Sequence, residues 1–211
     1  NNIFITGSPD VDIILSKKLP KLSTVRERYD IDFKNYGISI LHPVTTNFQK
    51  IKSESKKYFK ALLKSKKNFV VTYPNNDLGS SFIMKELDIL RNNKRFRIIP
   101  SLRFEYFLTL LKNSSFIIGN SSCGIMEAPY YKIPTINIGN RQQNRLKSKI
   151  IINTKFEISK ILHSIDKALK TKIHKKNYFG FGNSSKQVEK LLMSNKIWKI
   201  NLQKNFIDLV K

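Results

Sequence analysis

The chain has 211 residues, 40% of them hydrophobic, and carries a formal charge of +24 with a single cysteine. That length supplies core for one large domain or two small ones, while one cysteine excludes an internal disulfide framework and fits a reducing cytoplasm. No run approaches a membrane-spanning length, the start Asn1-Asn2 is not a signal peptide, and the dispersed histidines His42, His163 and His174 lack metal-ligand spacing, so neither membrane, metal nor other cofactor is expected.

Residues 1–35 read as a linker or the start of a domain, with Ile3-Phe4-Ile5-Thr6-Gly7-Ser8-Pro9 as a strand entering a turn. From Tyr36 onward, short apolar runs alternate with longer amphipathic ones. The predicted strands are Gly37–Leu41, Phe69–Thr72, Phe96–Ile99, Phe116–Ile118, Thr135–Ile138 and Ile150–Ile152, rich in β-branched and aromatic residues as in strands covered on both faces. Between them the spacing predicts helices over about Gln49–Leu63, Ser81–Asn93, Phe104–Lys112 and Gly124–Tyr131. In the second, Phe82, Ile83, Leu87 and Leu90 form one stripe. Strand–helix alternation of this kind means βαβ units and a doubly wound α/β fold with a parallel sheet, here over residues 36–185. A helix over Glu157–Leu169 presents Ile158, Ile161, Leu162, Ile165 and Leu169 to the core. A basic connection, the string Tyr178-Phe179-Gly180-Phe181-Gly182-Asn183, a helix over Ser184–Met193 and an amphipathic stretch Ile200–Val210 follow, with residues 186–211 read as C-terminal helices.

The charge admits a nucleic-acid or anionic-surface reading. Its lysines, however, are dispersed as Lys17-Lys18, Lys56-Lys57, Lys66-Lys67 and Lys175-Lys176, without a long basic arm or a ribonucleoprotein-type aromatic signature. Lysine-covered helix faces account for this pattern, and the resulting field also draws an anionic nucleotide. No specific nucleic-acid partner is expected.

In an open parallel sheet, ligands bind beyond the C-terminal strand ends. Each predicted strand end leads into a polar turn of small residues: His42–Thr46, Tyr73–Ser80, Pro100–Phe104, Asn120–Glu127 and Gly139–Arg145. The fourth is the most informative. Ile117-Ile118-Gly119-Asn120-Ser121-Ser122-Cys123-Gly124-Ile125-Met126-Glu127-Ala128-Pro129 reads either as a strand, an anion-binding turn and a helix whose Glu127 takes sugar hydroxyls, or as an ordinary helix capped by Asn120 or Ser121. His42 suits a phosphate donor or an acid/base. Asn75, Asp77 and Ser80 fit a ligand loop or a plain turn. Phe104 fits a base platform or a core aromatic. Arg141 and Arg145 suit a phosphate clamp. Cys123 sits where a helix start lowers a thiol pKa, but with no partner base it reads as a small spacer.

Together, His42-Pro43-Val44-Thr45-Thr46, Pro74-Asn75-Asn76-Asp77-Leu78-Gly79-Ser80, Gly119-Asn120-Ser121-Ser122-Cys123-Gly124, Pro134-Thr135-Ile136-Asn137-Ile138-Gly139, and Arg141-Gln142 with Arg145 resemble the hydrolysing UDP-N-acetylglucosamine 2-epimerases of sialic- and legionaminic-acid biosynthesis. Gly7-Ser8-Pro9 and Gly180–Gly182 fit that family's flanks. The resemblance implies a Rossmann-like domain, the C-terminal half of a GT-B fold, that grips a UDP-sugar. It implies Phe104 on uracil, Glu127 on the ribose, Ser121, Ser122 and Gly124 around the diphosphate, and His42 at the phosphate–sugar junction. Asn75, Asp77 and Ser80 would line the site, with Arg141 or Arg145 near the phosphates. The implied reaction eliminates UDP across C1–C2 and adds water to release N-acetylmannosamine. Its proton-moving carboxylates belong to an N-terminal domain without counterpart in these residues, so this chain alone is expected to bind without turnover. A related GT-B glycosyltransferase is the alternative. Oligomeric state stays open, a homo-oligomer included.

Overall fold

Six short strands, β1 (Gly37–Ile40), β2 (Phe69–Thr72), β3 (Phe96–Ile99), β4 (Phe116–Gly119), β5 (Thr135–Ile138) and β6 (Ile151–Thr154), form one sheet in the order β3-β2-β1-β4-β5-β6. Every pairing is parallel. The sheet belongs to a computed structural model that describes residues 3–171, 177–200 and 203. His174 and nearly all of the predicted helix Ile200–Val210 lie outside the described residues.

The order is that of a doubly wound sheet, in which the chain returns to the centre after β3 and grows outward in the other direction from β4. β1 and β4 are therefore central, and every residue of both is buried. Continuous burial explains the Phe116-Ile117-Ile118 run of β4, and in β1 the small Gly37 and Ser39 alternate with Ile38 and Ile40, the buried Ser39 hydroxyl being paired with the Tyr58 hydroxyl at 2.7 Å. Phe69 stacks on Phe96 at 5.6 Å and meets Phe116 edge-on at 5.8 Å, fixing the three strands to one layer of the core.

The helices in chain order are α1 (Pro9–Ile14), α2 (Leu22–Tyr29), α3 (Ile51–Lys64), α4 (Ser80–Leu87), α5 (Phe104–Lys112), α6 (Cys123–Met126), α7 (Ile158–Lys170), α8 (Ser184–Leu192) and α9 (Asn195–Trp198). In α3, Ile51, Tyr58, Phe59 and Leu62 recur at helical spacing and are all buried. The helix expected to run to Asn93 ends at Leu87 and passes into a 3-10 turn, Asp88–Leu90, yet the predicted stripe still faces inward, with Ile83, Leu87 and Leu90 buried and Phe82 packed at the edge of the core. The face of α7 is rotated from the one expected: Ile161, Ser164, Ile165 and Ala168 are buried, whereas Leu169 is 43% exposed.

By internal contacts the chain divides into two compact units, Lys17–Tyr178 and Asn1–Ser16 with Phe179–Lys211. The first contains the whole sheet. In the second, the predicted opening strand is absent: Ile3 and Ile5 are 78% and 91% exposed and pair with no strand, so β-branched propensity without a partner edge forms no sheet. The two glycine-containing flanks meet there instead, the Ser8 N–H donating to the Phe179 carbonyl at 2.8 Å. Asp12 of α1 caps α8, accepting from the Ser184 and Ser185 N–H groups at 2.9 Å each. These donors, that of Ser185 foremost, hold the Asp12 carboxyl below the usual carboxylate range.

Candidate functional site

Because every strand runs in one direction, the turns after β1 to β5 all emerge on the same rim of the sheet. A cleft of about 390 Å³ crosses the ends of four of them. β1 contributes Ile40 and His42, β2 Thr72 and Tyr73, the β3–α5 turn Pro100 to Leu102 and Phe104, and the turn after β4 Ser121, Ser122 and Glu127. Residues scattered over nearly ninety positions of sequence thus converge. A larger recess of about 550 Å³ lies over the ends of β5 and β6, but none of the sequence-predicted site residues lines it. The chemistry gathers in the smaller cleft.

The rim is tied together at Asn120, which is 1% exposed. The His42 N–H donates to Asn120 Oδ1 at 2.7 Å, and Asn120 Nδ2 donates back to the His42 carbonyl at 2.8 Å. The Asn120 N–H donates to the Ile40 carbonyl at 3.1 Å, and its own carbonyl accepts from Arg141 Nη1 and Gln142 Nε2 at 3.0 Å each. One residue therefore joins the ends of β1 and β4 to the turn after β5. Gly119 makes the approach possible. Its φ of +137° is glycine territory, and a Cβ there would run into the Ile40 carbonyl oxygen. Sequence reading places Asn120 only as a helix cap. Its partner lies 78 residues away, and the available signal is the Gly-Asn pair at the end of a buried central strand.

His42 is oriented from its other side by the Asn75 N–H, which donates to Nδ1 at 3.1 Å. With Nδ1 an acceptor, the neutral ring carries its proton on Nε2 and presents a donor there. Burial, joined by the Arg141 charge, pushes the imidazole pKa down to about 4, against a smaller upward pull from Asp77 and the Asn75 bond. At neutral pH His42 is an uncharged donor held beside a cation. Asn75 also bonds the Asp77 carboxylate through its side chain, so the turn after β2 closes on the imidazole.

The turn after β4 differs from the expected long helix. α6 is a single turn ending at Met126, and Ala128–Tyr131 form a separate 3-10 turn. Pro129 accounts for the break, since it lacks an N–H and disfavours helical geometry at the residue before it. The dipole of so short a helix is small, so an anion at this turn would be held by local groups instead. Ser121 and Ser122 are half-buried and line the cleft with Glu127. Neither serine caps the helix through its side chain: Ser122 occupies the N-cap position with helical backbone angles and makes no side-chain capping bond. Burial pushes the Cys123 thiol up to about 12, with Glu127 adding to the rise, so the thiol-lowering effect of a helix start is overridden here. The spacer reading suits its burial.

Phe104 opens α5 half-buried, with the ring on the cleft rather than in the core. Six of the sequence-predicted residues do not line the cleft: Asn75 and Asp77 in the turn that closes on His42, Arg141, which bonds Asn120, and Ser80, Gly124 and Arg145. Ser80 begins α4, its N–H bonded to the Asp77 carbonyl. Gly124 is buried against Thr135, where a Cβ would stand 2.5 Å from Cγ2, and its carbonyl accepts from Thr135 Oγ1 at 2.7 Å. Its role in the structure is close packing of α6 on β5. Arg145 is exposed, whereas Arg141 reaches back to Asn120. Among the described residues, no group of three or more His, Cys, Asp or Glu could hold a metal ion, and no helix is long and apolar enough to cross a membrane.

The family model for UDP-N-acetylglucosamine 2-epimerase matches residues 1–193. A UDP-N-acetylglucosamine 2-epimerase of Neisseria meningitidis serogroup B is 42% identical over 99% of this chain and 56% of its own length. A hydrolysing UDP-N,N'-diacetylbacillosamine 2-epimerase of Legionella pneumophila is 31% identical over 90% of this chain and 51% of its own. The chain thus spans about half the length of the curated relatives it matches. Among solved structures, the Methanocaldococcus jannaschii UDP-GlcNAc 2-epimerase in complex with UDP-GlcNAc and UDP superposes with a TM-score of 0.69, covering 90% of this chain and 54% of that one. At 22% identity that likeness is one of fold, the Rossmann-like C-terminal half of a GT-B architecture. By its sequence matches, the chain belongs to the UDP-N-acetylglucosamine 2-epimerase family.

Proposed function

We propose that this chain is the UDP-gripping half of a hydrolysing UDP-N-acetylglucosamine 2-epimerase, acting with an N-terminal domain that carries the proton-moving carboxylates. The observation that carries the proposal is the convergence of Phe104, Glu127, Ser121, Ser122 and His42 on one cleft at the C-terminal strand ends. In this reading Phe104 stacks on uracil and Glu127 takes the ribose hydroxyls. The Ser121 and Ser122 hydroxyls and amides hold the diphosphate, and His42 donates from Nε2 at the phosphate–sugar junction. Arg141 supplies positive charge from the adjoining turn. Asn75 and Asp77 orient His42, Gly124 packs the turn, and Ser80 and Arg145 lie further from the ligand. The His-Pro-Val-Thr-Thr string supports an epimerase over a glycosyltransferase, and the hydrolysing activity named for the Legionella relative supports the hydrolysing type.

Calorimetric titration of the chain with UDP tests the binding claim. A saturable site is expected, weakened in Glu127→Ala by about 1.5–3 kcal/mol, roughly ten- to a hundredfold. Absence of saturable UDP binding by the wild-type chain defeats the proposal. In the full-length protein, UDP-N-acetylglucosamine should yield UDP and free N-acetylmannosamine. Accumulation of UDP-N-acetylmannosamine instead would refute the hydrolysing type.

A further inference from the structure

β6 ends the sheet on one side, and among the described residues no strand lies beyond it. Its ladder shows which backbone groups face outward. The Thr135 N–H donates to the Ile150 carbonyl and the Gly139 N–H to the Thr154 carbonyl, at 3.0 Å each, so the even-numbered residues turn their backbone toward β5. By the twofold period of a strand, Asn153 turns its N–H and C=O away from the sheet, where an added strand would find a donor and an acceptor.

Beside that edge runs a groove of about 560 Å³ between β6 and α7. On the strand side it follows the chain from Ile152 to Lys155, about 10 Å at strand rise, and on the helix side from Ser159 to Lys167, about 12 Å at helical rise. That length suits about four residues of extended chain. No acidic side chain lines the groove, whereas Lys155, Lys160, His163 and Lys167 all do. The last three recur at helical spacing and form one ridge of α7. Glu157 bonds Lys160 at 2.8 Å, but both side chains are exposed, and such a pair is readily exchanged for another carboxylate. The Glu157 carboxyl is held below its ordinary range by that bond first and then by the Lys160, Lys155 and Lys57 charges, so cations outnumber it here.

Lysine at a strand edge commonly guards against pairing with another strand. A guard of one sign is selective. A second copy of this chain, with 39 Lys and Arg against 15 Asp and Glu, would set lysine against lysine along the edge. A segment with carboxylates at alternate positions does the reverse. Side chains two apart on a strand lie about 7 Å from each other on one face, and Lys160 and Lys167 stand about 10 Å apart along α7, so two successive acidic side chains come within reach of both. Main-chain bonds hold a strand of this kind, and the ridge selects its side chains. We propose that the groove between β6 and α7 receives an extended acidic segment of a partner protein, which adds to the sheet beside Asn153. This goes beyond the proposed grip on UDP and uses none of its residues.

Fluorescence anisotropy on the whole chain tests this with a labelled peptide of about six residues that alternates glutamate and valine. Saturable one-to-one binding is expected. The double variant Lys160→Glu/Lys167→Glu should weaken it at least about tenfold, while Lys112→Glu, a reversal at the exposed end of α5 outside the groove, should leave it within about twofold. Two forms of the peptide, N-methylated at the glutamates or at the valines, keep every carboxylate but each blocks one edge of the strand. One form should lose at least about tenfold and the other stay within about threefold, and the Asn153 amide should gain protection from hydrogen exchange on binding. Equal behaviour of the two methylated forms, or a loss in Lys112→Glu as large as in the double variant, reveals unspecific attraction to a basic surface and overturns the proposal. Displacement of the peptide by an equal concentration of inorganic phosphate marks a small-anion site and overturns it too, as does the absence of saturable binding. Circular dichroism verifies folding, and if the double variant does not fold, the methylated peptides decide by themselves.

Discussion

Asn120→Ala probes the rim at its most connected point. The substitution keeps the Asn120 carbonyl, so the bonds from Arg141 and Gln142 can persist, but it deletes both side-chain bonds to the His42 backbone, 2.7 and 2.8 Å long. A hydrogen bond contributes about 0.5–1.5 kcal/mol net, and a buried group left without its partner costs about 1–3 kcal/mol. His42 is only partly enclosed, so water replaces some of what is lost, and a total of about 2–4 kcal/mol follows. At about 2–4 °C per kcal/mol for a domain of this size, Tm should fall by roughly 4–16 °C. The clamp also sets the burial that dominates the His42 shift, so NMR titration should find the imidazole pKa risen from about 4 toward its ordinary 6.5. A variant that melts within about 2 °C of wild type and still titrates His42 near 4 would refute the reasoning.

Charge substitutions around His42 should move its pKa in opposite directions by NMR: upward in Arg141→Ala, which removes a cation, and downward in Asp77→Asn, which removes an anion. Because the folded-state pKa of His42, about 4, lies below the ordinary 6.5, the unfolded chain protonates first as pH falls. The group contributes no pH dependence above 6.5 and drains stability between 6.5 and 4, so urea midpoints should drop across that window more steeply in wild type than in His42→Gln. Cys123, buried with its thiol pushed up to about 12, should resist iodoacetamide at pH 8 in the native chain and react on unfolding; rapid native labelling would contradict its placement. Gly119→Ala should destabilise by at least about 3 kcal/mol in denaturant melts, since both the backbone angle and the Ile40 carbonyl oppose a Cβ.

How much was legible varied with the range of the interaction that decides each feature. β2, β3 and β5 have the predicted boundaries because Phe, Val and Ile dominate each short run, even with Thr72, Arg97 and Asn137 among them. β6 begins one residue later than predicted and runs on through Asn153 and Thr154, polar residues drawn in by backbone pairing with Asn137 and Ile138. Phe104 was placed correctly at the start of α5 by local periodicity alone. Local pattern failed where a distant group decides. The Ile3–Ile5 run looked like a strand but has no partner edge, and Cys123 looked thiolate-prone although burial overrides the helix start. The Asn120 clamp could not be read from spacing, because both halves of it are ordinary turn residues until the sheet places β1 beside β4.

The neutrality of His42 bears on the chemistry under the proposed function. In elimination of UDP, negative charge grows on the departing oxygen as the C1–O bond breaks. A group that binds the diphosphate equally strongly before and during that step tightens binding without accelerating it. Arg141, already bonded to the Asn120 carbonyl, is fixed in place and acts throughout. The imidazole differs. Its Nδ1 accepts from Asn75 and its pKa is held at about 4, so it meets the substrate as an uncharged Nε2–H donor whose bond strengthens as the oxygen becomes more basic. The Asn120 clamp, the Asn75 bond and the Arg141 charge together keep the ring oriented and unprotonated, and under the proposed function they would hold it ready for the charge that develops on the leaving group.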